Sequence, residues 1–260
     1  MFYSCPLKNF TFKKEFRVEQ SYPLILNIYL DLLISENENI AIFNGVAYTS
    51  DYKTLIFYPA NGNTPILPTV EKISTWGGFC GCNFENYTLD VPIRQFPRWV
   101  FSDCYNLKNL DISKCLITIL PTDFVSRCTK LQTVTLPDTL QAIGSNSIFQ
   151  CAIQKLVIPP SLRSIAADGF YQSTILAVEY CGMIKFDNKI TSTGFISVST
   201  NYPYPDCFGR TDLSKTLDSC PPARTPLPTV SPSPICILSC GNRNCASFFS
   251  MGQLYIFILM

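Results

Sequence analysis

The sequence predicts a right-handed solenoid of parallel β-strands, opened by a β-hairpin and followed by a proline-rich tail. Three observations predict it. Large apolar residues recur in one register at Ile73, Phe96, Ile119, Ile143 and Ile165, with spacings of 23, 23, 24 and 22 residues. A second large apolar residue follows that slot by five positions at Phe101, Phe124, Ile148 and Phe170, and by six at Phe79. Each copy also holds a short apolar-x-apolar triplet: Leu89-Asp90-Val91, Leu110-Asp111-Ile112, Val134-Thr135-Leu136, Leu156-Val157-Ile158 and Val178-Glu179-Tyr180. Alternating residues of a strand point to opposite faces, so each triplet offers one apolar face to a core.

A period in this range with fixed apolar slots is the mark of a leucine-rich-repeat coil. One copy buries too little apolar surface to fold, and stacking joins the inward positions into one core. Ile119, Ile143, Ile165, Leu136 and Ile158 are therefore expected to be buried and stacked. Pro92, Pro137 and Pro159 follow three of the triplets and end them, because proline cannot donate to a ladder. Cys104, Cys128 and Cys151 also recur in one register. Cysteine behaves there as a small buried hydrophobe, and a core-facing position selects for it.

Taken in order, residues 1–42 carry an apolar run, Tyr22 to Ile34, preceded by Lys8, Lys13, Lys14 and Arg17. Two readings stay open: a secretory or anchoring segment, and an element that caps the end of the solenoid. Residues 45–60 predict a hairpin, with Val46–Tyr48 and Thr54–Tyr58 as strands and Ser50-Asp51 at the turn. The solenoid with its hairpin is assigned to residues 43–200. Residues 201–220 form a cysteine-containing cap, where an oxidising compartment would favour pairing such as Cys207 with Cys220. Residues 221–260 hold a Pro/Ser/Thr linker, Pro221 to Pro234, expected to be an extended, disordered spacer. The closing apolar stretch, Phe248 to Met260, is shorter than the ~20 helical residues of a membrane span. Membrane association would run through these termini.

Composition removes several functions. The net charge of +1 supplies no basic face for nucleic acid. With no histidine, Ser-His-Asp hydrolysis, Cys-His proteolysis and His-ligated zinc are all excluded. Cys80-x-Cys82 and the trio Cys236, Cys240 and Cys245 do not have the spacing of zinc knuckles, so no metal and no cofactor is expected. Asp90, Asp111 and Glu179 fall on different coils and read as solvated strand positions, not as a glycosidase pair. The chain is not expected to be an enzyme.

The hairpin GVAYTSDYKTLIFYPA, the repeats ILPTVEKIS, LQTVTLPDTLQAI and IQKLVIPPSLRSI, and the run FSDC before Leu107 resemble the BspA-type leucine-rich-repeat proteins. These are cell-surface proteins of bacteria and mucosal protists. NYPYPDCFGR, followed by a cysteine and the Pro/Ser/Thr linker, resembles the end of the ectodomain in the protist members. The resemblance spans about residues 43–234. It implies a non-enzymatic module, at the cell surface or secreted, for adhesion to or recognition of an extracellular or surface protein or glycan. In such solenoids the working surface is the exposed strand face, here Asp111, Ser113, Thr133, Thr135, Lys155, Val157 and Glu179. Asn86-Tyr87-Thr88 fits the N-glycosylation acceptor pattern, with Asn86 expected in a loop between coils. The alternatives are a cytoplasmic leucine-rich-repeat scaffold with reduced cysteines, and a truncated relative without function.

Overall fold

The computed structural model describes residues 8–17, 30–62, 64–74, 78–187, 190 and 192–218. The proline-rich linker, the terminal apolar stretch and most of the Tyr22–Ile34 run lie outside the described residues. Among the described residues there is no α-helix.

The chain opens with β1 (Asn9–Phe12) paired in parallel with β2 (Leu32–Ser35). A small core of Phe12, Leu33, Ile40, Ala47, Ile56 and Phe57 sits beneath them. Asn37, almost fully buried, ties this segment down. Its amide nitrogen lies within hydrogen-bond reach of the carbonyls of Lys13, Lys14 and Phe16 at 3.2, 3.0 and 2.8 Å.

The expected hairpin is present as β4 (Val46–Thr49) antiparallel to β5 (Thr54–Phe57). Asp51 closes its turn by accepting bonds from the Thr49 hydroxyl at 2.6 Å and the Lys53 amide at 3.0 Å. A further antiparallel strand, β3 (Ile40–Phe43), precedes it. The connecting pair Asn44-Gly45 has φ of 49° and 75°, as a two-residue primed turn requires. That Asn-Gly signal stands in the sequence, just before the first strand of the predicted hairpin. β5 then pairs in parallel with β6 (Lys72–Ile73), and the coil begins.

The main wall is a seven-stranded parallel sheet. In sheet order it runs β7 (Asn86–Thr88), β8 (Asn109–Asp111), β11 (Thr133–Thr135), β14 (Ala152–Ile158), β16 (Thr174–Tyr180), β17 (Ser192–Ser199) and β18 (Leu213–Leu217). A second wall is β9 (Ile119–Leu120), β12 (Ala142–Ile143) and β15 (Ser164–Ile165). A third pairs β10 (Val125–Ser126) with β13 (Ile148–Phe149). The result is the expected parallel-strand solenoid. Between the walls Leu110, Val134, Leu156, Val178 and Ile196 stack strand on strand, each almost wholly buried. Toward the N-terminal end the core turns aromatic. Phe79 stacks on Phe101 at 5.0 Å and 3°, and Phe101 meets Phe124 edge-on at 5.5 Å.

Two register assignments change. Ile119 is 58% exposed, and Leu120, fully buried, is the residue aligned with Ile143 and Ile165. The cause is the turn before it. Leu136–Leu140 and Ile158–Leu162 are four apart, whereas Ile112–Ile117 are five apart. The longer turn lacks a proline after the strand and is closed instead by the Cys115 amide donating to Ile112 O at 3.0 Å. In the first coil the strand is Asn86–Thr88, not Leu89–Val91. Tyr87 aligns with Leu110 because its ring fills the inward slot, stacked on Phe84 at 4.3 Å and 5.0 Å from Phe79. Leu89 and Val91 are still buried, one position further round the coil.

The parallel sheet also continues past Tyr180, where the apolar period stops. β17 and β18 add two strands with a shorter connection, and each carries a register shift. The sheet's last inward column reads Leu89, Ile112, Leu136, Ile158, Tyr180, Val198 and then Lys215. The Lys215 Nζ turns back to the Tyr202 carbonyl at 2.8 Å. Lys215 is exposed at this end of the coil, and a lysine on an edge strand discourages a further strand from adding. Lys215→Val is expected to self-associate at concentrations where the parent is monomeric, as read by light scattering. Equal masses for both would show that the edge is closed by other means.

Candidate binding surface

The outward face of the main sheet carries two rows of side chains. The first is Asn86, Asn109, Thr133, Lys155, Ala177 and Phe195 in register. The second is Thr88, Asp111, Thr135, Val157, Glu179 and Ser197, the last of them buried. Strands β14 and β16 have burial patterns with two adjacent outward residues, so Gln154 and Leu176 join the face beside Lys155 and Ala177.

Six of the seven residues read from the sequence lie in these rows. Ser113 lies just past β8, in the turn, where its amide donates to the Asp111 carboxylate at 2.8 Å. Asp111 is therefore half-buried and committed to the turn. The Thr133 hydroxyl donates to Asn109 Oδ1 at 2.6 Å, and Asn109 Nδ2 donates to Asn86 Oδ1 at 2.6 Å. Lys155 pairs with Glu179 at 2.8 Å across β14 and β16. Thr135 and Val157 stand exposed between them.

Asn86 is not in a loop. It is the first residue of β7, and its side chain heads the amide ladder. A parallel ladder borders it, with Lys108 on Glu85 at 2.9 Å and Lys130 on Asn106 at 2.7 Å. Spacings of 23 for Asn86–Asn109 and 24 for Asn109–Thr133 mark this ladder in the sequence. Leu176 and Phe195 had no comparable signal. Phe195 belongs to β17, beyond the last periodic slot.

The opposite side of the coil holds a buried charge. Asp103, 3% exposed, receives Arg127 Nε at 2.6 Å and Nη2 at 2.5 Å, and the Tyr105 hydroxyl at 2.8 Å. Both residues occupy a left-handed position that recurs at every turn: Asp103 (φ 59°), Arg127 (59°), Gln150 (52°) and Gln172 (54°). Gly81 (φ 73°) fills it in the preceding coil, and the other four are not glycine. Gln150→Gly should relieve the Cβ strain and hold or raise stability by about 0.5 kcal/mol. A clear drop in the thermal midpoint would contradict that strain.

The buried core thiols among the described residues offer no nucleophile. Cys104, Cys128 and Cys151 are buried, with Sγ 3.2, 3.0 and 3.4 Å from the carbonyls of Phe79, Phe101 and Val125 in the preceding coil. Burial raises Cys104 and Cys151 above the ordinary thiol range, and the hydrogen bond shared with Cys104, together with burial, raises Cys128. Burial likewise pushes Cys115 up to about 12. A thiol held protonated neither attacks nor ligates. These cysteines should resist iodoacetamide at pH 8 in the native chain and react fully in denaturant; fast native labelling of Cys128 would contradict this. Cys207, expected to pair with Cys220, is a free, fully buried thiol, and Cys220 lies outside the described residues. The Cys207 thiol is buried and hydrogen-bonded with the Tyr202 side chain and the backbone at Phe186 and Phe208. Among the described residues, Cys181 is disulfide-bonded.

Residues 53–177 match the BspA type leucine rich repeat region in six copies. These residues, just under half of the chain, form a BspA-type leucine-rich-repeat region. No curated protein matches it in sequence. Among solved structures, a leucine rich cell surface protein of Faecalibacterium prausnitzii is similar, with 19% identity over 67% of this chain and 48% of that one, and a TM-score of 0.50. A leucine-rich repeat protein of Eubacterium ventriosum shares 18% identity over 64% and 59%, at a TM-score of 0.44. The pneumococcal vaccine antigen PcpA shares 14% over 75% and 52%, at a TM-score of 0.40. The chain thus spans about half to three-fifths of the length of those structures.

Proposed function

We propose that the chain is a non-enzymatic binding module of the cell surface, which holds an extracellular or surface protein or glycan against its exposed strand face. The observation that carries the reading is that face itself. It is one continuous parallel sheet whose outward rows present side chains without any acid, base and nucleophile in mutual reach. The Faecalibacterium relative of similar fold is described as a cell surface protein. The disulfide at Cys181 fits an oxidising compartment. The seven free thiols among the described residues are compatible with it, because six are buried and the seventh, Cys80, is half-buried with its thiol pushed up to about 12 by burial.

Contacts on a flat face are individually weak, so adhesion would rest on many copies acting together. The full chain coupled to beads at graded density should attach to epithelial cells or matrix with a steep dependence on density. Charge reversal at Lys155 or Glu179 should reduce attachment without lowering the melting temperature. Dense beads that bind no better than bare ones would refute the reading.

A further inference from the structure

The sequence holds two Asn-x-Ser/Thr patterns, Asn9-Phe10-Thr11 and Asn86-Tyr87-Thr88. They fold into different settings. Asn86 opens β7, and its Oδ1 accepts from Asn109 in the amide ladder. A sugar on Asn86 would stand on the strand face itself. Asn9 opens β1, in a two-stranded sheet separate from the main wall. Phe12 is buried in the small N-terminal core, and Phe10 meets it edge-on at 5.0 Å. Side chains alternate along a strand, so Asn9 and Thr11 point outward together. Asn9 is exposed and Thr11 half-buried.

The partner strand supplies a second observation. In the β1–β2 register Asn9 lies beside Leu32 and Thr11 beside Ile34. Leu32 is 49% exposed and Ile34 45%, while Leu33 between them is buried. The outward side of this sheet therefore sets two exposed aliphatics directly against an acceptor asparagine and its threonine.

We propose that Asn9 carries an N-linked glycan whose first sugars lie over Leu32 and Ile34. The inference rests on the cell-surface reading above, because this modification belongs to secreted chains. In the transfer, the Asn9 amide nitrogen bonds to the anomeric carbon of a lipid-pyrophosphate-linked oligosaccharide. The bond from that carbon to the pyrophosphate oxygen breaks. The lipid pyrophosphate leaves with the electron pair, and the amide proton passes to a base of the transferase. The enzyme reads Ser or Thr two residues on, here Thr11. A sugar ring has a face of C–H groups, which removes Leu32 and Ile34 from water while the hydroxyls stay hydrated. A glycan on this sheet leaves the strand face of the main wall clear, as one on Asn86 would not.

The test takes the full chain from its producing cells, biotinylated at the surface of unbroken cells. Peptide N-glycosidase should lower its mass and convert Asn9 to Asp, as read by peptide mapping. Asn9→Gln and Thr11→Val should each lose the glycan at this position, and Thr11→Ser should keep it. Enzymatic removal should raise the fluorescence of a dye that reports exposed apolar surface. Leu32→Ser together with Ile34→Ser should abolish that rise. Surface-labelled chain with Asn9 unmodified overturns the proposal and leaves the binding-module reading standing. A glycan at Asn9 whose removal leaves dye fluorescence unchanged overturns the cover over Leu32 and Ile34. Chain labelled only after lysis, with Asn9 unmodified, removes both readings.

Discussion

Ile143→Ala should lower unfolding stability by about 2–5 kcal/mol, the range for a buried large-to-small change. Ile143 is 2% exposed and sits between Leu120 and Ile165 in the second wall. Nothing from solvent can refill the space, and the coils above and below lose their shared contact. Because each coil is stable only against its neighbours, the whole repeat region should unfold earlier in a single denaturant transition. Ile119→Ala is the internal control. At 58% exposure it should change stability by no more than about 0.5 kcal/mol. If Ile119→Ala proved the more damaging, the register would be Ile119's after all.

The second large effect concerns Arg127. Arg127→Ala removes two hydrogen bonds from a carboxylate that stays buried, with only the Tyr105 hydroxyl left to it. Breaking one side of a buried ion pair is costly because the other charge is stranded. Arg127 itself is 44% exposed at its side chain, so water offsets part of that cost. The expected loss is about 2–3 kcal/mol. Removing both charges, with Asp103→Asn and Arg127→Leu, should cost less than the sum of the single changes, giving a coupling of about 1–2 kcal/mol. Strict additivity in that cycle would mean the pair is an incidental surface contact.

Much of this fold is legible in the chain because its core is periodic. Leu110, Val134, Leu156 and Val178 declare the parallel sheet, and Val46–Thr49 with Thr54–Phe57 declare the hairpin. What escapes is where turn length and backbone conformation decide the outcome. One extra residue between Ile112 and Ile117 moves the wall from Ile119 to Leu120, and apolar character alone does not distinguish two neighbouring aliphatics. The left-handed positions at Asp103, Arg127, Gln150 and Gln172 carry no glycine to announce them. β17 and β18 follow no 22–24-residue period, so Phe195 had no slot from which its exposure could be read. The binding face shows the same division. The periodic positions Thr133, Thr135, Lys155 and Val157 were visible, while the internal pairing of Lys155 with Glu179 and of Asp111 with the Ser113 amide depends on side-chain geometry.

The central claim, a binding surface displayed outside the cell, is tested most directly by labelling intact producing cells with a membrane-impermeant amine-reactive biotin, then counting thiols on the recovered chain. The account predicts biotinylated chain from unbroken cells, core cysteines that react only after denaturation, and at least one disulfide engaging Cys181. Chain labelled only after lysis, with every cysteine free, would contradict it and assign the solenoid to the cell interior.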